Sequence, residues 1–82
     1  MELGKIIRIN ARGRVAVEIS GRVVVADIQS GGGGWIGDAL EGDMRPGPRT
    51  WRNITTGSLT VVQVVAVVEC DLRAQALLQR SA

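Results

Sequence analysis

Residues 59–70, LTVVQVVAVVEC, decide the fold of this chain. Valine fills six of these positions, and none of the residues breaks a strand. β-branched side chains lose little freedom on a pleated sheet, so the stretch predicts a β-strand. At about 3.3 Å per residue it would extend for ~35–40 Å, which is longer than most strands. We therefore expect it to bend or to cross from one sheet to another.

The same stretch offers two faces that differ in polarity. The even positions form an almost wholly apolar face: Thr60, Val62, Val64, Ala66, Val68 and Cys70. The odd positions form a second valine face, interrupted by Gln63 and Glu69. Because a small barrel buries only one face of each strand, the second face needs another cover.

The residues before this strand predict a meander. Residues 5–11, 14–19 and 22–28 read as strands, joined by short turns at Arg12-Gly13 and Ser20-Gly21. Alternation places one apolar set inward: Val15, Val17, Ile19, Val24, Ala26 and Ile28. Ala16 falls in the outward set with Arg14 and Glu18.

The later segments complete the predicted element order. Residues 29–48 hold many glycines and two prolines, which indicates a long flexible loop, within which residues 38–42 could form one helical turn or a short strand. A short fourth strand follows at 50–54, and Asp71 can cap a helix ending near residue 80. The chain is therefore expected to form one all-β, mainly antiparallel domain over residues 1–82. We predict a small five-stranded barrel with a short C-terminal helix, at 71–80.

Two segments resemble OB-fold and SH3-like barrels. They are the opening meander GKIIRINARGRVAVEISGRVVVADI, residues 4–28, and the GDALEGD turn, residues 37–43. The resemblance implies a nucleic-acid or oligosaccharide binding face on the second and third strands. In this chain those strands carry arginines but no aromatic residue.

Composition argues against an enzyme. Histidine is absent, so Cys70 and the serines have no imidazole base beside them. The G-x-G-x-x-G match at 32–37 lacks a following helix, which favours a loop over a cofactor site. Asp27, Asp38, Glu41 and Asp43 lack the spacing of an EF-hand loop, and nothing fixes a ligand geometry, so we expect no metal and no cofactor. With no signal peptide or membrane span visible, a cytoplasmic location is expected.

Arginines suggest one possible binding site. Nine of the ten basic residues are arginine, which either reflects a GC-rich genome or indicates phosphate contacts. The candidate nucleic-acid residues flank the turns and the proline-rich segment: Arg12, Arg14, Arg22, Arg45, Arg49, Trp51 and Arg52. Trp51 would either stack a base or cap the barrel, and the residues leave both readings open.

Exposed valines suggest a second kind of site. We expect the C-terminal helix to be too narrow to cover them all, which predicts a homo-oligomer interface at Val23, Val25, Val61, Val65 and Val67. The leading hypothesis is a non-catalytic barrel module that self-associates and binds nucleic acid weakly. The alternative is a purely structural or protein-interaction module.

Overall fold

The computed structural model describes residues 2–31 and 34–80. It contains six strands and one helix in this order: β1 (Glu2–Ile9), β2 (Arg14–Ile19), β3 (Arg22–Gly31), β4 (Ala39–Gly42), β5 (Gly47–Asn53), β6 (Leu59–Val68) and α1 (Asp71–Arg80). The strands form a closed barrel in the order β1-β2-β3-β6-β5-β4, and every neighbouring pair is antiparallel. The predicted fold class is confirmed, with six strands instead of five.

The additional strand lies inside the segment predicted as a loop, where residues 38–42 allowed either a helical turn or a short strand, and the short strand is observed. Within residues 29–48, β3 continues to Gly31, β4 occupies Ala39–Gly42 and β5 begins at Gly47. Short β4 closes the barrel because its backbone pairs with the start of β1, where Leu3 lies opposite Glu41. Local composition could not reveal this partner, which lies far away in sequence. Gly32 and Gly33 of the predicted loop lie outside the described residues.

The barrel interior holds the first of two apolar cores. Its buried members are Ile6, Val15, Val17, Ile19, Val24, Ala26, Leu40, Met44, Trp51, Val62 and Val64, with Ile9, Ile28 and Val67 packed against them. The inward residues predicted for the second and third strands are all present, so that part of the alternation is confirmed. Trp51 is the largest wholly buried side chain, and its Nε1 donates a hydrogen bond to the Asp43 carbonyl oxygen at 2.8 Å.

The second core lies outside the barrel, beneath the helix. Ala16, Val23 and Val25 are buried there against Ala74 and Leu78 of α1. The apolar stripe of the helix is therefore wide enough to cover these positions. This corrects two predictions, namely that Ala16 faces water and that Val23 and Val25 stay free for an oligomer interface.

A bulge lets β6 serve both cores. Val25 pairs with Ala66 and Ala26 pairs with Val64, so Val65 is an extra residue with no partner in the β3 register. A bulge changes which side chains face inward beyond it. Val67 therefore packs on the barrel core, although simple alternation placed it outside with Val61 and Val65. Val68 packs on the helix core instead.

Candidate interaction surface

Trp51 cannot act as a stacking platform. Its side chain is 0% exposed and lies inside the barrel with the aliphatic core. Base stacking needs an accessible ring face. The prediction that Trp51 contributes to a nucleic-acid surface is therefore wrong, and its alternative role in packing is the one observed.

Arg14 holds the helix in place. Its Nε and Nη2 donate to the Asp27 carboxylate at 2.6 and 2.9 Å, and its Nη1 donates to the Leu77 carbonyl oxygen at 3.1 Å. The guanidinium lowers the pKa of Asp27, while partial burial opposes this shift. A cation at a helix C-terminus satisfies carbonyls that have no partner within the helix. Arg14 is committed to this contact, so little of it is available to a phosphate.

Three further predicted arginines also have acidic partners. Arg45 binds Asp43 through a 2.7 Å ion pair, and Arg49 approaches the same carboxylate at 3.4 Å. Hydrogen bonds from Arg45 lower the pKa of Asp43 far below its usual range. Arg22 binds Glu2 at 2.7 Å. These pairs are partly or largely exposed, so they organise local structure more than they stabilise the chain.

Arg12 and Arg52 complete the predicted set. Within residues 2–31 and 34–80, neither side chain forms an ion pair or a side-chain hydrogen bond. Arg12 lies in the turn between β1 and β2, whereas Arg52 lies on β5. The seven predicted residues are therefore distributed over several elements, and most are already engaged within the chain.

The acidic residues are likewise engaged separately. Asp38 is buried and accepts hydrogen bonds from the Trp35 backbone amide and from Asn53 Nδ2, both at 3.0 Å, and these bonds lower its pKa. Asp27 and Asp43 bind arginines. Across the described residues, histidine, cysteine, aspartate and glutamate nowhere gather in a group of three that could hold a metal ion.

The turn at residues 35–38, which we call the anchored turn, presents the apolar side chains of Trp35 and Ile36 to solvent. The Gly37 amide donates to the Ile6 carbonyl oxygen at 2.8 Å, and the Ile6 amide donates to the Asp38 carbonyl oxygen at 3.0 Å. These bonds fix the turn to β1, yet Trp35 remains 79% exposed. Ile36 lines a groove of about 370 Å³ with these residues of β1 and α1: Ile7, Arg8, Ile9, Asn10, Gln75, Leu78 and Gln79. The exposed aromatic of this protein is therefore Trp35, which the sequence reasoning did not select.

One row of outward-facing side chains runs across four neighbouring strands, β1, β4, β5 and β6. Leu3 lies opposite Glu41, Glu41 lies opposite Arg52, and Arg52 lies opposite Leu59. Their neighbours along the strands, Gly4, Leu40, Trp51 and Thr60, are buried, so the four side chains face outward. We call Leu3, Glu41, Arg52 and Leu59 the outer row. Both leucines are strongly exposed, at 63% and 62%.

Other exposed apolar residues adjoin the outer row. Ile54 follows β5 and donates its amide to the Ala39 carbonyl oxygen, and Val61 follows Leu59 on the outward face of β6. Val61 and Val65 are exposed as the interface prediction requires, although their role in an interface stays a prediction. Sequence reasoning missed the outer row because its four members are brought together only by the register of four strands.

No protein family, curated protein or solved structure matches this chain. The function must therefore be inferred from the surfaces themselves. The helix in the described part of the chain is too short to cross a membrane. Cys70, just before α1, is exposed and forms no disulfide.

Proposed function

We propose that this small β-barrel is a non-catalytic protein-interaction module that self-associates. The observation that carries the proposal is the set of exposed apolar side chains on the part of the barrel that α1 leaves uncovered: Leu3, Ile54, Leu59 and Val61. Several exposed apolar side chains on neighbouring strands are typical of a site of association. The helix already buries Val23 and Val25, so the remaining patch needs a different cover.

The proposed role fits the size of the molecule. A specific interface buries about 800 Å² per partner. The accessible surface of this protein is 4765 Å². About one sixth of that surface would therefore be enough for a stable dimer. Small domains commonly complete their burial in this way because their own cores are limited.

The contacts of three aspartates support a non-catalytic role. The sequence has no histidine, and Asp27, Asp38 and Asp43 hold arginine, amide or backbone groups in place. Such contacts hold pKa values low, so these carboxylates are poor general bases. The sequence also lacks an imidazole that could activate Cys70.

A second candidate function is weak binding of single-stranded nucleic acid. Exposed Trp35 on its anchored turn favours it, because an accessible ring can stack on a base. Only Arg12 and Arg52 of the predicted arginines have side chains without partners in the described residues. Phosphate-driven affinity increases with the number of cations engaged, so we rank this candidate below self-association.

Sedimentation velocity with a fluorescent single-stranded oligonucleotide tests both candidates together. At micromolar protein we expect a species heavier than the 8.7 kDa monomer, with the oligonucleotide sedimenting alone. A clean monomer at every concentration would contradict self-association. Co-sedimentation of the oligonucleotide that weakens steeply with added salt would favour the second candidate instead.

A further inference from the structure

The order of residues in the outer row is self-complementary. Across β1, β4, β5 and β6 it reads leucine, glutamate, arginine, leucine. When the row is reversed, the two leucines exchange places and each charged residue falls on its opposite. Homodimers use the same surface on both copies, so an isologous interface requires this kind of symmetry.

We propose that a second copy of this chain docks on the outer row about a twofold axis that runs along the strands, between β4 and β5. Glu41 then meets Arg52 of the second copy, and Leu3 meets Leu59 of the second copy. Along the same axis, Ile54 meets Ala39 of the second copy, since both adjoin the row on the same side. The assignment rests on the self-association proposed above and names the surface that performs it.

The charges of the row are available for this contact. Glu41 and Arg52 are direct neighbours on β4 and β5, but among the described residues neither forms an ion pair or a side-chain hydrogen bond. In the dimer, two glutamates and two arginines form a square in which each charge lies beside two opposite charges. Complementary charges set orientation and exclude wrong registers, because like charges in contact are costly.

The barrel itself favours contact through side chains. A closed barrel has few free strand edges, so a second copy cannot simply extend the sheet. The strands of a closed barrel are tilted relative to its axis. A row along the hydrogen-bonding direction therefore runs partly along the axis, and it curves less around the barrel than a row along the circumference would. Four adjacent strands can thus present the outer row to one partner. The leucines at its ends then shield the central charges from water.

Charge exchange tests the arrangement directly. We expect the wild type to dimerise. Arg52→Glu and Glu41→Arg should each raise the dissociation constant of the dimer at least tenfold, because either homodimer would then contain four like charges. An equimolar mixture of the two variants should recover a one-to-one heterodimer, because every contact between the two copies then joins opposite charges, although positions 41 and 52 still carry like charges within each copy. The double variant should likewise recover a homodimer. Sedimentation equilibrium measures the five dissociation constants, for the wild type, the two single variants, their mixture and the double variant.

Controls separate the proposed surface from the proposed function. Arg12→Glu makes the same charge change at an exposed arginine outside the row, and it should dimerise like the wild type. Circular dichroism checks that each variant keeps its fold. If the wild type associates but the single variants do so equally well, or the mixture fails to recover, the outer row is wrong and self-association stands. A wild type that stays monomeric would overturn both proposals.

Discussion

Single residues decide how tightly the barrel closes around Trp51. Gly42 on β4 lies directly against the indole ring, and a Cβ atom at this position would stand 2.5 Å from Trp51 Cδ1. The ring is also held by its hydrogen bond to the Asp43 carbonyl oxygen, so it cannot simply turn aside. The need for glycine here arises from close approach of the ring to the backbone.

Gly42→Ala should therefore destabilise the protein. We expect the free energy of unfolding to fall by about 1–3 kcal/mol, because the methyl group overpacks a rigid part of the core. Urea denaturation followed by tryptophan fluorescence measures the change, because unfolding moves buried Trp51 into water whereas Trp35 is already exposed. Thr50→Val, an exposed change on the adjacent strand, is the control and should alter stability by at most about 0.5 kcal/mol. Equal stability of Gly42→Ala and wild type would show that the ring can move.

At the scale of elements, α1 is attached at both ends. Arg8 binds Asp71 at the start of the helix, with its shortest contact at 2.7 Å. Near the other end, Asn10 Nδ2 donates to the Leu78 carbonyl oxygen at 2.9 Å, beside the Arg14 contact with Leu77. These polar contacts align the helix so that Ala74 and Leu78 cover the outer face of β2 and β3.

Two leucines of α1 provide a matched test of this packing. Leu78→Ala removes a buried side chain from the helix core and should lower stability by about 2–3 kcal/mol. Leu72→Ala makes the same chemical change where the side chain is 76% exposed, and it should cost at most about 0.5 kcal/mol. Thermal or urea denaturation of both variants measures the difference. Similar effects at the two positions would mean that the helix does not pack as described.

The pH response belongs to the whole molecule. Four carboxyl groups have lowered pKa values: Asp27, Asp38, Asp43 and Asp71. Hydrogen bonds from arginines are the main cause at three of them. At Asp38 the cause is hydrogen bonds from the Trp35 backbone amide and then from the Asn53 side chain. A group with a lowered folded pKa adds stability above its unfolded pKa and loses it as pH falls through the folded value. There is no histidine to titrate between pH 6 and 8.

We therefore expect stability to be nearly constant from about pH 6 to 8 and to fall progressively below about pH 4, near the unfolded aspartate pKa. Urea midpoints measured across this range test the expectation. Asp38→Asn removes one titrating group, so its midpoint should fall less steeply with acid than that of the wild type. A midpoint that rises on acidification would contradict the assignment of these carboxylates.

Local alternation explains which parts of the structure were predictable. In residues 14–19 and 22–28 the apolar side chains recur with period two, and a strand with one buried face follows from that pattern alone. The valine-rich stretch likewise predicted β6, and Asp71 predicted the start of α1. The predicted inward residues of β2 and β3 are the observed core, because no bulge intervenes in their mutual register.

Tertiary structure decided the features that depend on distant partners. The bulge at Val65 reverses which side chains face inward and moves Val67 onto the barrel core, but it is visible only in the register with β3. β4 forms in a glycine-rich segment because the start of β1 needs a neighbour. Trp51 and Trp35 both lie among polar and glycine residues in sequence, yet the barrel encloses Trp51 and leaves Trp35 in water. Period-two alternation acts locally, so five of the six strands and the inward residues of β2 and β3 followed from the residues of each segment alone. Register, closure and the outer row required the folded chain, since each joins residues that are far apart along it.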